Sequence, residues 1–358
     1  MSTTERPELV PAGAGLAATV AVETHGEIGA LDTVQVRARG YWEQVWIRFR
    51  RDRVAIAGGV FIIVLIFAAF IGAPIAAHLL GHGPNDLFPA GGVNQTTLLP
   101  VGPWTHVTKA PYAGAAGHYG TTLFILGSDG ITGRDEFLRI LYGAQVSLEV
   151  AGIATILGMF IGVTMGSFAG YFGGGIDMFV SRLTEIVMAF PLLLFAIALA
   201  STVGPRLNNV TFGFLGKGVF ALTLVIGCFS WYYPARIIRA QVLSLREKEF
   251  VEAARMIGAS DRRIIRSHLL PHLVAPIIVY STLIFATNIL FEAGLSFLGV
   301  GIQLPTASWG NLLAAAPEFY TTQPWLMLWP GLAVLLTTLA FNLLGDGLRD
   351  AFDPRSSR

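Results

Sequence analysis

Apolar residues fall into six long runs separated by polar, Gly- and Pro-rich stretches. A helix needs roughly 20 mostly apolar residues to cross a bilayer core. The first run, Val54 to Ala77 (VAIAGGVFIIVLIFAAFIGAPIAA), has no charge at all. The second lies near Tyr142 to Ala169 and holds one acid, Glu149; the third, about Leu183 to Ser201, contains Glu185 and Pro191. The fourth, about Val219 to Ala235, is shorter and ends in WYYP. The fifth runs from about Leu273 to Leu298, with Pro276 near its start and Glu292 near its end; the sixth covers about Trp325 to Leu344. The pattern predicts an all-α, polytopic membrane protein with six transmembrane helices. Residues 1–45 are polar and small, interrupted by Pro7 and Pro11, and are expected to form a disordered tail ahead of a membrane domain over 46–358. They do not read as a secretory signal.

The connections differ in kind. Residues 78–141 form a long outer loop rich in Gly, Pro, Thr and Asn, with Trp104 as an interface anchor. Residues 298–324 are too broken by Gly and Pro to span, and are expected to lie along the outer surface or dip into the protein. Residues 236–271 form a charged inner loop. No internal repeat is evident.

Composition agrees with the membrane class. The chain is 53% hydrophobic and 13% charged, against about a quarter charged in soluble domains, and its mean hydropathy is +0.61. The net charge of +1 says little, because the placement of Lys and Arg sets orientation. With the N-terminus inside, the outer segments hold Lys109, Arg134, Arg139, Arg206 and Lys217, leaving 19 of the 24 basic residues inside. Both termini are therefore expected in the cytoplasm. The single cysteine, Cys228, sits in an apolar run and reads as a small hydrophobe.

The inner loop carries the most unusual segment, EAARMIGASDRRIIRSHLLP over 252–271. Phe250, Val251, Ala254 and Ile257 recur at three- and four-residue spacing, which predicts one apolar helix face. Gly258 follows where a helix commonly ends in a left-handed residue. Ser260 and Asp261 are N-cap types for a second helix carrying Ile264, Ile265 and Leu269, and Pro271 is placed to open the fifth span. The result is a helix–turn–helix hairpin ringed by Arg255, Arg262, Arg263 and Arg266. It reads as an amphipathic loop at lipid headgroups, a DNA-binding hairpin, or a docking element for a cytoplasmic protein. The flanking spans leave neither helix free to enter a DNA groove.

This segment resembles the EAA loop of ABC importer permeases, with Glu252, Ala253, Ala254, Gly258, Leu270 and Pro271 at the family's spacing. His268 occupies the pattern's Ile position and resembles the H-x-L-P variant of the dipeptide and oligopeptide branch. Three further stretches resemble that branch: LGSDGITGRDEFLRILYGAQVSL (126–148, one residue longer before Gly133), EAGLSFLGVGIQLPTASWG (292–310) and FNLLGDGLRDAFDPR (341–355). The resemblance covers roughly residues 45–355 and points to the second permease subunit of peptide-type importers. It implies a type I importer transmembrane domain whose 252–271 loop couples to an ATPase. It further implies as partners a second, related permease, two ATPase subunits and an external substrate-binding protein. ATP and magnesium would bind on the ATPases, and this chain would hold no cofactor in a bacterial inner membrane. Peptides are the cargo it implies first, with nickel, glutathione or other small solutes as alternatives.

An ionisable group inside a span is a functional candidate because its burial in lipid is costly. Glu292 and Glu149 lie near the outer ends of their spans. Glu292 with Arg134 and Asp135 is a candidate outer gate, set against the simpler reading that the acids reach water or backbone donors. Glu185 lies beside Arg182 and reads as a local pair. Gly158, Gly162, Gly166 and Gly170 recur every fourth residue, so one helix face admits a close neighbour. Asn342 and Asp346 close the sixth span as a polar cap near Arg349 and Asp350, with Gly345 and Gly347 in the turn. GFLGKG (213–218) lacks the first Gly and the Ser or Thr of a phosphate loop, and His78 and His82 lack a third metal ligand, reading as a surface pair. No enzyme signature remains. An ion-driven secondary transporter would show paired acids deep in its spans and internal repeats, and neither is present. A membrane scaffold without transport activity is the other rival.

Overall fold

The computed structural model describes residues 40–353, apart from 116, 192, 200 and 203–217. The 1–39 tail, Arg206, Lys217 and most of the GFLGKG stretch lie outside the described residues, as does Arg355. Among those described, five helices are long and apolar enough to cross a membrane: α2 (Arg53–Leu80), α3 (Glu136–Phe172), α6 (Val219–Leu245), α8 (Asp261–Phe297) and α10 (Trp325–Phe352). A bent pair, α4 (Gly174–Ala189) and α5 (Leu193–Leu199), makes a sixth if counted as one span. Three short helices complete the set: α1 (Tyr41–Phe49), α7 (Glu249–Met256) and α9 (Trp309–Ala315).

Local chemistry fixes the ends. Asp52 caps α2 by accepting from the Val54 and Ala55 amides at 2.9 and 3.0 Å, and Asp135 caps α3 through the Phe137 and Leu138 amides. Prolines decide where helices bend. The third run does not cross straight: α4 and α5 diverge by 88°. Pro191 disfavours helical backbone at the residue before it, and Phe190 is extended at φ −85°, ψ 136°. At two other prolines a π turn comes first, at Ala68–Gly72 before Pro74 and at Ile264–Leu269 before Pro271. The wider turn takes up the missing amide and the helix continues.

Several expected boundaries therefore move. Pro271 does not open the fifth span; α8 already starts at Asp261 and carries the proline inside it. The fourth span runs on to Leu245, so Arg236 and Arg239 are helical rather than part of a loop. The tail gives way to structure before residue 46, because Tyr41 begins an amphipathic helix. Helix α1 rests on the end of α10, with Trp42 edge-on to Phe352 and Arg48 donating to the Asp353 carbonyl at 2.9 Å.

Helix α3 sits at the centre, packed on α6 and α8, while α10 packs on α2 and α8. One core cluster joins Ile62, Ala144, Leu148, Ile289, Trp309 and Phe341 across five helices. The outer loop holds an antiparallel pair that the all-α reading did not foresee, β1 (Thr105–Thr108) with β2 (Thr121–Phe124), over a small core of Phe88, Val107 and Phe124. The 298–324 connection does dip into the protein. Its α9, with a Ser308–Asn311 capping box, drives Trp309 to zero exposure, where the indole donates to the Ile140 carbonyl at 3.1 Å.

Candidate functional site

At the end of the bundle opposite the β pair, α7 and the start of α8 form the charged hairpin. Gly258 lies between them at φ +80°, with open space where a Cβ would stand. Backbone conformation, rather than crowding, calls for glycine there. Val251, Ala254, Ile264 and Leu269 turn inward onto Tyr171, Ile238 and Val242, which fastens the hairpin to the ends of α3 and α6. Ile257 does not join that face as the spacing predicted. It follows the last helical residue, Met256, and the two side chains are 84% and 82% exposed. Glu252, Ala253, Arg255, Arg262, Arg263 and Arg266 are exposed as well, giving a tip of two apolar side chains among arginines.

Tyr171, in the last turn of α3, holds both arms. Its hydroxyl donates to Asp261 Oδ1 at 2.6 Å, and the Arg255 guanidinium stands 5.3 Å from its ring centroid. Arg246 donates to the Gly170 and Tyr171 carbonyls at 3.2 and 3.4 Å, where α3 leaves acceptors without helical partners. Arg239 of α6 pairs with both carboxylate oxygens of Asp177 in α4. The sequence reading missed Tyr171, Asp177 and Arg239. Only the phase of α6 beyond Ala235 shows that Arg239 faces another helix.

The four-residue glycine ladder meets α6 as a continuous seam. A Cβ on Gly158 would stand 2.9 Å from Ser230, on Gly162 2.7 Å from Pro234, on Gly166 2.5 Å from the Ala235 carbonyl oxygen, and on Gly170 2.8 Å from the Arg239 carbonyl oxygen. Contact positions rise together on both helices, so α3 and α6 run parallel.

At the β end, the expected gate residues do not come together. Asp135 is buried beneath His82, whose Nε2 lies 2.9 Å from its Oδ2, while Thr122 and the Leu80 carbonyl face Nδ1 at 3.1 Å. His82 is thus a buried link between α2, the β pair and α3 rather than half of a surface pair. Arg139 pairs with Asp129 at 2.7 Å, and Arg134 stands 4.0 Å from the same carboxylate. Burial pushes the Asp129 carboxyl above its usual range, against the pull of Arg139, Thr132 and Arg134. Glu292 is fully buried, accepts from Ser296 at 2.9 Å, and is also faced by Ser147 and Ser308. No Arg134–Glu292 contact occurs among the described residues, because Asp129 occupies the guanidinium and serines surround the acid. Arg182 and Glu185 do pair, exposed, at 2.7 Å. No cluster of His, Cys, Asp and Glu suited to a metal occurs among the described residues.

Comparison with known proteins adds to this geometry. Residues 162–358 match the family described as binding-protein-dependent transport system inner membrane component. Residues 40–90 match the N-terminal TM domain of oligopeptide transport permease C. The dipeptide transport system permease protein of Alkalihalophilus pseudofirmus is 37% identical over 322 residues, covering 90% of this chain and 92% of the relative. The glutathione transport system permease protein of Pectobacterium atrosepticum is 35% identical over 314 residues, covering 88% and 91%. Among solved structures, the MetNI methionine ABC transporter in an inward-facing conformation matches with a TM-score of 0.48 at 17% identity, over 59% of this chain and 94% of that one.

Proposed function

The chain belongs to the family of binding-protein-dependent transport system inner membrane components, and on that premise we propose that it carries di- or oligopeptides through the bacterial inner membrane as one half of a permease pair. It is a multi-pass, ABC-type importer subunit, and its family implies ATPase and substrate-binding partners. The second half is a related permease, two ATPases sit on the cytoplasmic side, and an external binding protein delivers cargo. The chain itself catalyses nothing; ATP and magnesium are bound by the ATPases. Both termini lie in the cytoplasm, as the basic residues suggest, and lipid surrounds the pair. Peptide cargo rests on relatives named for dipeptide and glutathione transport, glutathione being itself a short peptide.

The observation that carries the coupling role is the hairpin tip. Met256 and Ile257 are exposed at the end of a rigid support, ringed by arginines, as suits an apolar plug with a polar rim for a protein socket. Glu252, Ala253, Ala254, Gly258, Leu270 and Pro271 shape that element. Because α8 is continuous from Asp261 to Phe297, a pull on the hairpin is passed along one lever of about 54 Å at ~1.5 Å per residue. The glycine seam lets α6 follow by close sliding against α3. A photo-crosslinking residue at Ile257 in the assembled complex tests this. It is expected to capture an ATPase subunit; a complex that transports normally while the probe captures no ATPase would sink the coupling role.

A further inference from the structure

A groove of about 360 Å³ opens between α6, α8 and α10, lined by Ser230, Tyr232, Tyr233, Thr287, Phe291 and Asn342 among others. Its lining residues lie well inside their helices rather than at the ends. Counted from the β end at ~1.5 Å per residue, Thr287 is about 15 Å in, Ser230 about 17 Å and Asn342 about 26 Å, in a hydrocarbon layer of about 30 Å. Its back wall is fixed. Asn288, 1% exposed, accepts from the Ser230 hydroxyl at 2.9 Å and donates to Thr155 at 3.0 Å, joining α6, α8 and α3. The front is not satisfied in this way: the Asn342 amide and the Tyr232 and Tyr233 hydroxyls make no hydrogen bond to another described residue. Groups of this kind facing hydrocarbon would each lose their hydration without replacement. The sequence reading placed Asn342 in a polar cap at the end of the sixth span. In the structure it stands ten residues before the end of α10 and lines the groove.

We propose that this groove is a transit site for the main chain of a peptide, whose amides and carbonyls pair with Asn342, Tyr232 and Tyr233 while its side chains lie against Phe291 and Ile284. This rests on the peptide-importer reading above. Among the described residues, no Asp, Glu, Lys or Arg lines the groove, so none of them distinguishes cargo by charge. Uncharged partners also hold a moving solute loosely enough to release it. The site is thus blind to peptide charge, and selection by charge happens elsewhere.

The test uses the full complex in proteoliposomes with its binding protein, and trialanine, Ala-Glu-Ala and Ala-Lys-Ala as probes. Asn342→Leu is expected to slow ATP-driven uptake of all three by one common factor, roughly three- to tenfold, the scale of a lost neutral hydrogen bond. Tyr233→Phe, which removes only a hydroxyl, is expected to do the same to a smaller extent and guards against misfolding by Asn342→Leu. In a Cys228→Ser background, Thr287→Cys should react with a water-borne thiol reagent and be protected by trialanine during turnover. Ile63→Cys, 68% exposed within the uncharged Val54–Ala77 stretch of α2, should not react. Unequal slowing of the three peptides, unchanged uptake in both variants, or an unreactive Thr287→Cys would overturn the transit site. Absence of ATP-driven uptake of any peptide by the unaltered complex would instead overturn the peptide reading itself.

Discussion

Gly166→Ala separates a packing seam from an incidental run of glycines. The new methyl would stand 2.5 Å from the Ala235 carbonyl oxygen, 3.0 Å from the Arg239 amide nitrogen and 3.0 Å from the Ile238 Cβ. Two of these neighbours are backbone atoms of α6 and cannot turn aside, so relief requires the helices to part by the better part of an ångström. Overpacking of this kind costs about 1–3 kcal/mol. Alanine returns ~1 kcal/mol of helix propensity, which leaves a net loss of roughly 1–2 kcal/mol. Gly59→Ala is the matched control: its methyl would meet only Leu344 Cδ1 at 3.6 Å, an ordinary contact, so the propensity term stands alone and the change is neutral or stabilising. Thermal unfolding of the purified complex, followed by intrinsic fluorescence, should place Gly166→Ala a few degrees below the parent and Gly59→Ala at or above it. Adding Gly162→Ala should cost less than the sum of the single changes, because one separation of the helices relieves both contacts. A Gly166→Ala complex that melts no lower than Gly59→Ala would refute the seam.

Four other outcomes follow from the geometry. Gly258→Pro should abolish ATP-driven uptake while membrane insertion and yield stay normal, since proline is fixed near φ −65° and cannot adopt +80°; ordinary uptake by that variant would count against the hairpin's role. Asp135→Ala removes the α3 cap and leaves His82 buried without its carboxylate, so it should destabilise the complex by roughly 2–4 kcal/mol, readable as a lower melting temperature than for Asp135→Asn. Trp309→Ala, which empties a fully buried site, should cost about 3–5 kcal/mol in the same melt. Thiol labelling of Glu292→Cys should be indifferent to Arg134→Glu, because the guanidinium faces Asp129; a strong dependence would restore the gate.

What was legible in the chain, and what was not, divides along the range of the forces involved. The apolar runs and the spacing of Val251, Ala254 and Gly258 are local signals, and helix positions, the hairpin and its left-handed turn could all be read from them. The four-residue ladder of Gly158 to Gly170 likewise shows a close-packed face, although only the fold says that α6 fills it. Pro191 and Pro271 were misread because a proline's effect depends on what precedes it. Pro191 breaks a span outright, whereas Pro74 and Pro271 each follow a π turn and leave the helix running; no periodicity distinguishes the cases in advance. The acids and arginines were hardest. Glu292 and Arg134 invite pairing by charge and membrane depth alone, yet Asp129, five residues before Arg134 in chain, claims that guanidinium and the buried Arg139 together. An ion pair is chosen by whichever opposite charge the fold brings within reach, and in a segment that reverses direction between Asp129 and Asp135 the nearest candidate was in the same loop. The same logic explains Arg239 and Asp177, which lie far apart in chain and meet only because α4 folds back against the extended end of α6. For this protein, then, sequence carries the elements and the position of the exposed hairpin tip, while the polar contacts that tie those elements together are properties of the packed helices.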